Sequence, residues 1–297
     1  MGEGTAALGG ALSPGSRSEK AYACVSQSSR AIFGTPRTAA DGIRRVIQLR
    51  GVSKEFAHRR GFVEALHGID LEADDGEFLA VVGRSGCGKS TLLRLIAGLV
   101  EPTRGEVLMG GRTVTGPRRD CAVLFQRPAL LPWRSVLDNV LLPAEISGER
   151  SDGARKLALE LIETMGLDGF QRRLPHELSG GMQQRVALCR SLMQRPRVLL
   201  MDEPFSALDA LTRDELCAEL QRTHREHPST VVLVTHSVDE AVMLADRVVV
   251  LTPRPGRIRT VLDITLPRPR TRAEAHQAEQ LARRAAELHA LLLDSES

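Results

Sequence analysis

From Val46 onward the apolar residues follow two rhythms. Short continuous runs occur at Val46–Leu49, Phe78–Val82, Ala122–Phe125, Val198–Met201, Val231–Val234 and Val248–Leu251. Several are apolar throughout, the pattern of strands covered on both faces. Between the runs lie segments with helical spacing. In one of them Leu157, Leu161, Ile162 and Met165 recur ahead of Gly166, a residue suited to ending a helix. Strands alternating with helices predict an α/β fold with a mostly parallel sheet. The early runs, near 46–79 and 105–109, can instead form a small antiparallel sheet, and the region around 127–195 is expected to form a helical lobe.

The two ends behave differently. Residues 1–45 are rich in Gly, Ala, Ser and Thr with scattered Arg and show no sustained period, so they are expected to form a disordered arm. The main folded domain is expected over 46–268. In the tail, 269–297, Thr271 and Glu274 have the spacing of a capping box. Ala278, Leu281, Ala285, Leu288 and Leu292 then repeat at intervals of three and four. An amphipathic helix packed on its own domain is the expectation there.

Composition narrows the function classes. Of 297 residues 42% are hydrophobic and 26% charged, which allows an ordinary buried core. A net charge of +3, with one Trp and one Tyr, argues against a nucleic-acid surface. No apolar run approaches the roughly 18 residues that span a bilayer. A role in membrane transport would therefore need a separate membrane-spanning partner. Cys24, Cys87, Cys121, Cys189 and Cys217 are odd in number and lack CxxC spacing, so they are expected as reduced thiols with no metal cluster.

Gly83-Arg84-Ser85-Gly86-Cys87-Gly88-Lys89-Ser90 fits GxxxxGK[ST]. It follows the strand run Phe78–Val82 and opens a segment carrying Leu92, Leu93, Leu95 and Ile96, which Gly98 can end. That strand–loop–helix context is what the motif requires. Glycines let the backbone turn tightly so that its N–H groups converge on phosphate oxygens, and the helix N-terminus adds partial positive charge. Lys89 supplies a cation for the β- and γ-phosphates, and Ser90 a hydroxyl for Mg²⁺. Thr91, next in line, completes the candidate nucleotide-binding stretch. Alone, the loop suits a kinase, a GTPase, a helicase or a transporter subunit equally.

A second apolar run, Val198–Met201, leads into Asp202-Glu203-Pro204. Carboxylates at the C-terminal end of a buried strand lie where α/β sheets bind ligands. Asp202 is the candidate Mg²⁺ partner. Glu203 is the candidate to orient or deprotonate an attacking water.

Between these motifs lies Leu178-Ser179-Gly180-Gly181-Met182-Gln183-Gln184. Ser179 can cap the helix that follows, where Val186, Cys189 and Met193 share a face. This segment resembles the LSGGQ signature of ATP-binding cassette (ABC) ATPases, with Met182 in place of the commoner Gln. Further positions fit the resemblance. Gln126 resembles the glutamine that touches Mg²⁺ or water and senses the membrane partner. Ser206-Ala207-Leu208-Asp209 resembles the loop at the dimer interface, His236 the switch histidine at the γ-phosphate, and Phe56 the aromatic that stacks on adenine.

The resemblance covers about Val46–Arg268. It implies a P-loop NTPase core with an antiparallel β subdomain and a helical subdomain. It also implies a homodimer that closes on ATP and Mg²⁺, with Gly83–Ser90 of one subunit facing Ser179–Gly181 of the other. Implied partners are integral membrane permease subunits and, indirectly, a solute-binding protein, at the cytoplasmic side of the cell membrane, with no nucleic acid. The stretches Phe125–Val136, Gly83–Leu99 and Thr252–Ile258 resemble the nitrate, sulfonate, taurine and bicarbonate importer branch, and the phosphate loop favours aliphatic sulfonate importers, with nitrate, taurine, bicarbonate and pyrimidine-precursor import as the alternatives. Rival readings are a P-loop phosphotransferase and a soluble cassette ATPase acting on ribosomes or DNA.

Overall fold

The computed structural model describes residues 45–293, apart from 60, 207 and 227. The expected disordered arm, save Arg45, lies outside the described residues, as does Cys24. Arg45, the last residue assigned to that arm, is the first residue of a strand.

Two sheets organise the chain. The first is antiparallel: β1 (Arg45–His58) pairs with β2 (Gly61–Asp74) and β4 (Arg104–Met109), and β5 (Arg112–Thr113) adds to β4. The apolar runs understate it, since β1 extends well beyond Leu49. In β2, Ile69, Leu71 and Ala73 are buried while Gly68 and Asp70 face solvent, the period-two pattern of a half-covered strand.

The second sheet has the order β10-β9-β3-β8-β7-β6. Its strands are β3 (Phe78–Val82), β6 (Cys121–Leu124), β7 (Val198–Asp202), β8 (Thr230–Thr235) and β9 (Arg247–Leu251), all parallel, with β10 (Ile258–Asp263) antiparallel on β9. Every residue of β3, β7 and β8 is buried, as the unbroken apolar runs within them require, and the polar Asp202, Thr230 and Thr235 stand only at strand ends. The edge strand β10 is not signalled by an apolar run, because its residues alternate between half-buried and exposed. Helix α1 (Lys89–Ile96) lies in the core that joins the sheets: Leu92, Leu93, Leu95 and Ile96 share one cluster with Val81, Leu200 and Val234 and with Ile47, Leu49 and Ile69.

Helices α2 (Val136–Ser147), α3 (Asp152–Thr164) and α4 (Gly180–Leu192) pack on one another. Ser135, Ser151 and Ser179 cap their first turns by accepting backbone N–H groups. The periodic segment ending at Met165 is α3, and Gly166 adopts φ 64° beyond it.

Helices α5 (Ala210–Glu226) and α6 (Val238–Leu244) precede the final helix, α7 (Ala275–Leu293), which packs against α6 through a face including Leu281, Ala285 and Leu288. The expected Thr271 capping box is not formed. The Thr271 hydroxyl accepts the Ala273 N–H, and its own N–H goes to the Gln277 side chain. The chain there is held by buried Arg270, whose guanidinium donates to the carbonyls of Val242, Ala245, Ile264 and Leu266. That tertiary anchor delays the helix beyond the point that local sequence favours.

Candidate nucleotide site

The strand register creates the site. Val82 lies opposite Thr235, and Asp202 opposite Val234. The phosphate loop, the Asp202-Glu203 pair and His236 therefore leave three adjacent strands at one level, at the C-terminal edge of the sheet.

Gly86 and Gly88 adopt φ 79° and 106°, values that side chains other than glycine rarely tolerate. Lys89 is buried and donates its Nζ to the carbonyls of Gly83 (2.8 Å) and Arg84 (3.1 Å). Cys87 N–H closes a turn onto Arg84 O at 3.2 Å. The Cys87 side chain is buried, and burial raises its thiol pKa.

Ser90 Oγ donates to Asp202 Oδ1 at 2.9 Å. Burial holds the Asp202 carboxyl above its ordinary range, reinforced by Glu203 and opposed by the Ser90 hydrogen bond. A hydroxyl and a carboxylate side by side are an oxygen-only pair of the kind Mg²⁺ uses together with substrate phosphates. Among the described residues no group of three or more His, Cys, Asp or Glu forms a self-sufficient metal cage.

Glu203 is the meeting point of the three candidate catalytic residues. Gln126 Nε2 donates to Glu203 Oε2 at 3.1 Å, and His236 Nδ1 lies 3.4 Å from the same oxygen. Glu203 adopts φ 48°, an uncommon value for a non-glycine residue. It is held there on both sides: its N–H donates to Val234 O, and its carbonyl accepts from Ser206 Oγ at 3.0 Å. The strand ladder thus continues one residue past β7 and directs the carboxylate out of the sheet edge.

Two supports for this cluster are not evident from the motifs. Thr235 Oγ1 donates to buried Glu240 on α6 and accepts the Ser237 N–H, which fixes the turn carrying His236. Arg213 reaches Glu240 Oε1 at 3.5 Å and donates to Leu208 O, linking that turn to the Ser206–Asp209 segment. On the other side, Gln184 of α4 donates to Phe125 O, and Arg190 to the carbonyls of Pro128 and Ala129. The helix that follows Ser179 thereby holds both flanks of Gln126.

The remaining candidates lie outside this cluster. Ser179 and Gly180 are exposed at the start of α4, and Ser179 Oγ accepts the Met182 N–H at 3.3 Å. A side chain on Gly181 would meet Leu208 and Thr212. Asp209 accepts the Thr212 N–H at 3.0 Å, a bond that keeps its carboxyl below the usual range. Phe56 is 39% exposed on β1 with the Lys54 ammonium over its ring, so it is a surface aromatic and not core. Trp133 is 73% exposed. Its loop is pinned by fully buried Asn139, which accepts from Leu131 N and donates to the carbonyls of Leu131, Arg134 and Ser135.

A family profile described as ABC transporter matches residues 66–206. An uncharacterised ABC transporter ATP-binding protein of Methanocaldococcus jannaschii is 50% identical over 232 residues, covering 78% of this chain and 87% of that protein. An aliphatic sulfonates import ATP-binding protein of Pseudomonas aeruginosa is 48% identical, over 84% of this chain and 85% of that protein. A nitrate import ATP-binding protein of Synechococcus elongatus is 46% identical, over 80% of this chain and 35% of its own length. Among solved structures, a dimeric post-hydrolysis ATP-binding cassette bound to ADP and phosphate aligns with TM-score 0.68 at 31% identity, over 74% of this chain and all of the other. The phosphate loop, the adjoining carboxylates and these relatives agree: the chain belongs to the ABC transporter ATPase family.

Proposed function

We propose that this chain is the ATP-hydrolysing subunit of an importer of small anions, with aliphatic sulfonates as the first cargo to test. The observation that carries the catalytic part is the convergence of Gln126 and His236 on Glu203, beside the Ser90–Asp202 pair. The names of the sulfonate and nitrate relatives support the importer branch, together with a bicarbonate transport ATP-binding protein 47% identical over 71% of this chain. What their cargoes share is a small, negatively charged oxygen-rich group.

In this reading Gly83–Ser90 binds the phosphates of ATP through backbone N–H groups, and Lys89 exchanges its loop carbonyls for phosphate oxygens. Ser90 and Asp202 hold Mg²⁺, directly or through water, and Gln126 is a further contact for it. The ion would offset charge on the β- and γ-phosphates. Glu203 orients a water and takes its proton as the water oxygen bonds to the γ-phosphorus. The bond to the β-phosphate oxygen breaks, and ADP and phosphate leave. His236 contacts the γ-phosphate and Phe56 the adenine.

The exposed, capped start of α4 supports a second role. Ser179–Gly181 offers helix N-terminal N–H groups to ATP held by a second copy, with Asp209 near the same interface. ATP thus favours the closed dimer by binding it more extensively, and hydrolysis releases it. Exposed Trp133 supports docking of a membrane permease subunit there, since an apolar surface held in place by a buried Asn139 suits a partner. Among the described residues no helix is long and apolar enough to cross a membrane, so the permease would come from other chains. The chain would then lie peripherally at the cytoplasmic face of the membrane.

The test is ATPase stimulation in a reconstituted complex with its permease and candidate solute-binding proteins. Stimulation by a sulfonate-loaded binding protein is the expected result. Stimulation by a nitrate- or bicarbonate-loaded one would reassign the cargo, and ATP hydrolysis without any permease association would defeat the transport reading.

A further inference from the structure

The loop Thr252–Arg257, between β9 and β10, lies against the phosphate loop. Gly256 N–H donates to Ala65 O and Gly256 O accepts the His67 N–H, each at 3.0 Å, so the loop is bridged to β2. A Cβ on Gly256 would stand 2.1 Å from Cys87 O, and one on Gly88 would stand 2.8 Å from Ala65 O. The backbones of β2, the phosphate loop and the Thr252–Arg257 loop, with the Leu66 side chain, therefore pack so closely that neither glycine could carry a side chain there. The loop closes on itself as well: Thr252 N–H donates to Arg257 O, and Arg257 N–H to Thr252 Oγ1. From this closed loop Arg254 Nε donates to Gly86 O at 3.2 Å.

We infer that Arg254 is a positioning residue for nucleotide binding, bracing the phosphate loop from outside; this rests on reading Gly83–Ser90 as the ATP site. A trans peptide directs its C=O and N–H to opposite sides. The Gly86–Cys87 peptide is anchored at both ends, its carbonyl by Arg254 and its N–H by Arg84 O. On the inner side, Lys89 holds the carbonyls of Gly83 and Arg84. That inner hold is given up when the ammonium turns to phosphate, whereas the Arg254 bond is unaffected. The brace keeps the two left-handed glycines, Gly86 and Gly88, in the conformation that the loop needs, and it adds positive charge beside it. Because it acts on the loop and not on the γ-phosphate, it serves ATP and ADP alike.

The experiment measures dissociation constants of trinitrophenyl-ATP and trinitrophenyl-ADP for the full chain carrying Glu203→Gln, alone and combined with Arg254→Ala, Arg254→Lys or Lys89→Ala. Arg254→Ala is expected to weaken both nucleotides about fivefold, the equivalent of one lost hydrogen bond, with the melting temperature of the nucleotide-free protein unchanged. Arg254→Lys, which keeps a donor and the charge, is expected to recover most of the loss. Unchanged binding in Arg254→Ala alongside lost binding in Lys89→Ala would overturn the brace and leave the ATP site standing. A loss confined to the triphosphate would also overturn it, since that is the mark of direct γ-phosphate contact. Unimpaired binding in Lys89→Ala would overturn the site reading itself and the brace with it.

Discussion

Gln126 and His236 converge on Glu203, the proposed base, and its backbone carries a cost. A non-glycine residue in the left-handed region costs on the order of 1–3 kcal/mol and persists only where the surroundings hold it; here Val234 O and Ser206 Oγ do so. Glu203→Gln keeps the shape and an acceptor for Gln126 but removes the carboxylate proposed as the base. Turnover is expected to fall by roughly 10²–10⁴-fold while nucleotide affinity stays within about twofold, as steady-state hydrolysis and equilibrium binding would report.

Asp202 gives a prediction for stability as well as for turnover. Burial raises its carboxyl in the folded state, so the native protein retains a proton over a pH window in which the unfolded chain has lost it. Stability from this group therefore falls as pH rises through that window. Asp202→Asn cannot ionise and still accepts from Ser90. Its nucleotide-free form is expected to melt higher than wild type at neutral pH, with the gap closing below the ordinary aspartate range, while Mg²⁺-dependent turnover is lost. Thermal unfolding across pH checks this.

At the scale of elements, α4 couples the signature segment to Gln126. Arg190 holds the carbonyls of Pro128 and Ala129 from this helix, and hydrogen bonds to charged groups contribute about 1.5–3 kcal/mol. Arg190→Ala is expected to lower kcat about tenfold with little change in nucleotide affinity, because it loosens Gln126 and leaves the phosphate loop alone. Helix α7 packs its apolar face against α6. Leu288→Ala, at a residue 1% exposed, is expected to cost about 2–5 kcal/mol in denaturant unfolding with unchanged nucleotide affinity. The start of α7 also marks a limit of local reading. Thr271 and Glu274 have the spacing of a cap, but Arg270 and Gln221 hold the chain at 270, and the helix begins at Ala275.

At the scale of the molecule, the proposed dimer would give each subunit two half-sites, one at Gly83–Ser90 and one at the exposed start of α4. A Glu203→Gln protein is expected to run as a dimer with ATP and as a monomer without it in size-exclusion chromatography with light scattering. Adding Ser179→Ala should shift the ATP-bound form toward monomer. A dimer that is indifferent to ATP in both would argue against the shared site.

Unbroken apolar runs made β3, β7 and β8 legible from the sequence, since strands covered on both faces keep polar residues to their ends, as Asp202, Thr230 and Thr235 do. The phosphate loop and the Asp202-Glu203 pair were legible for a similar reason: tight phosphate binding and strand-end carboxylates demand fixed residue types at fixed local spacing. The edge strand β10 and the length of β1 were not, because half-exposed strands mix polar and apolar residues. Convergence on Glu203 was beyond any local pattern. Gln126, Glu203 and His236 follow three different strands, and only the register of the parallel sheet brings them to one carboxylate oxygen. The contact of Arg254 with Gly86 likewise joins positions far apart in the chain, and it exists because β9 lies beside β3 in the folded sheet.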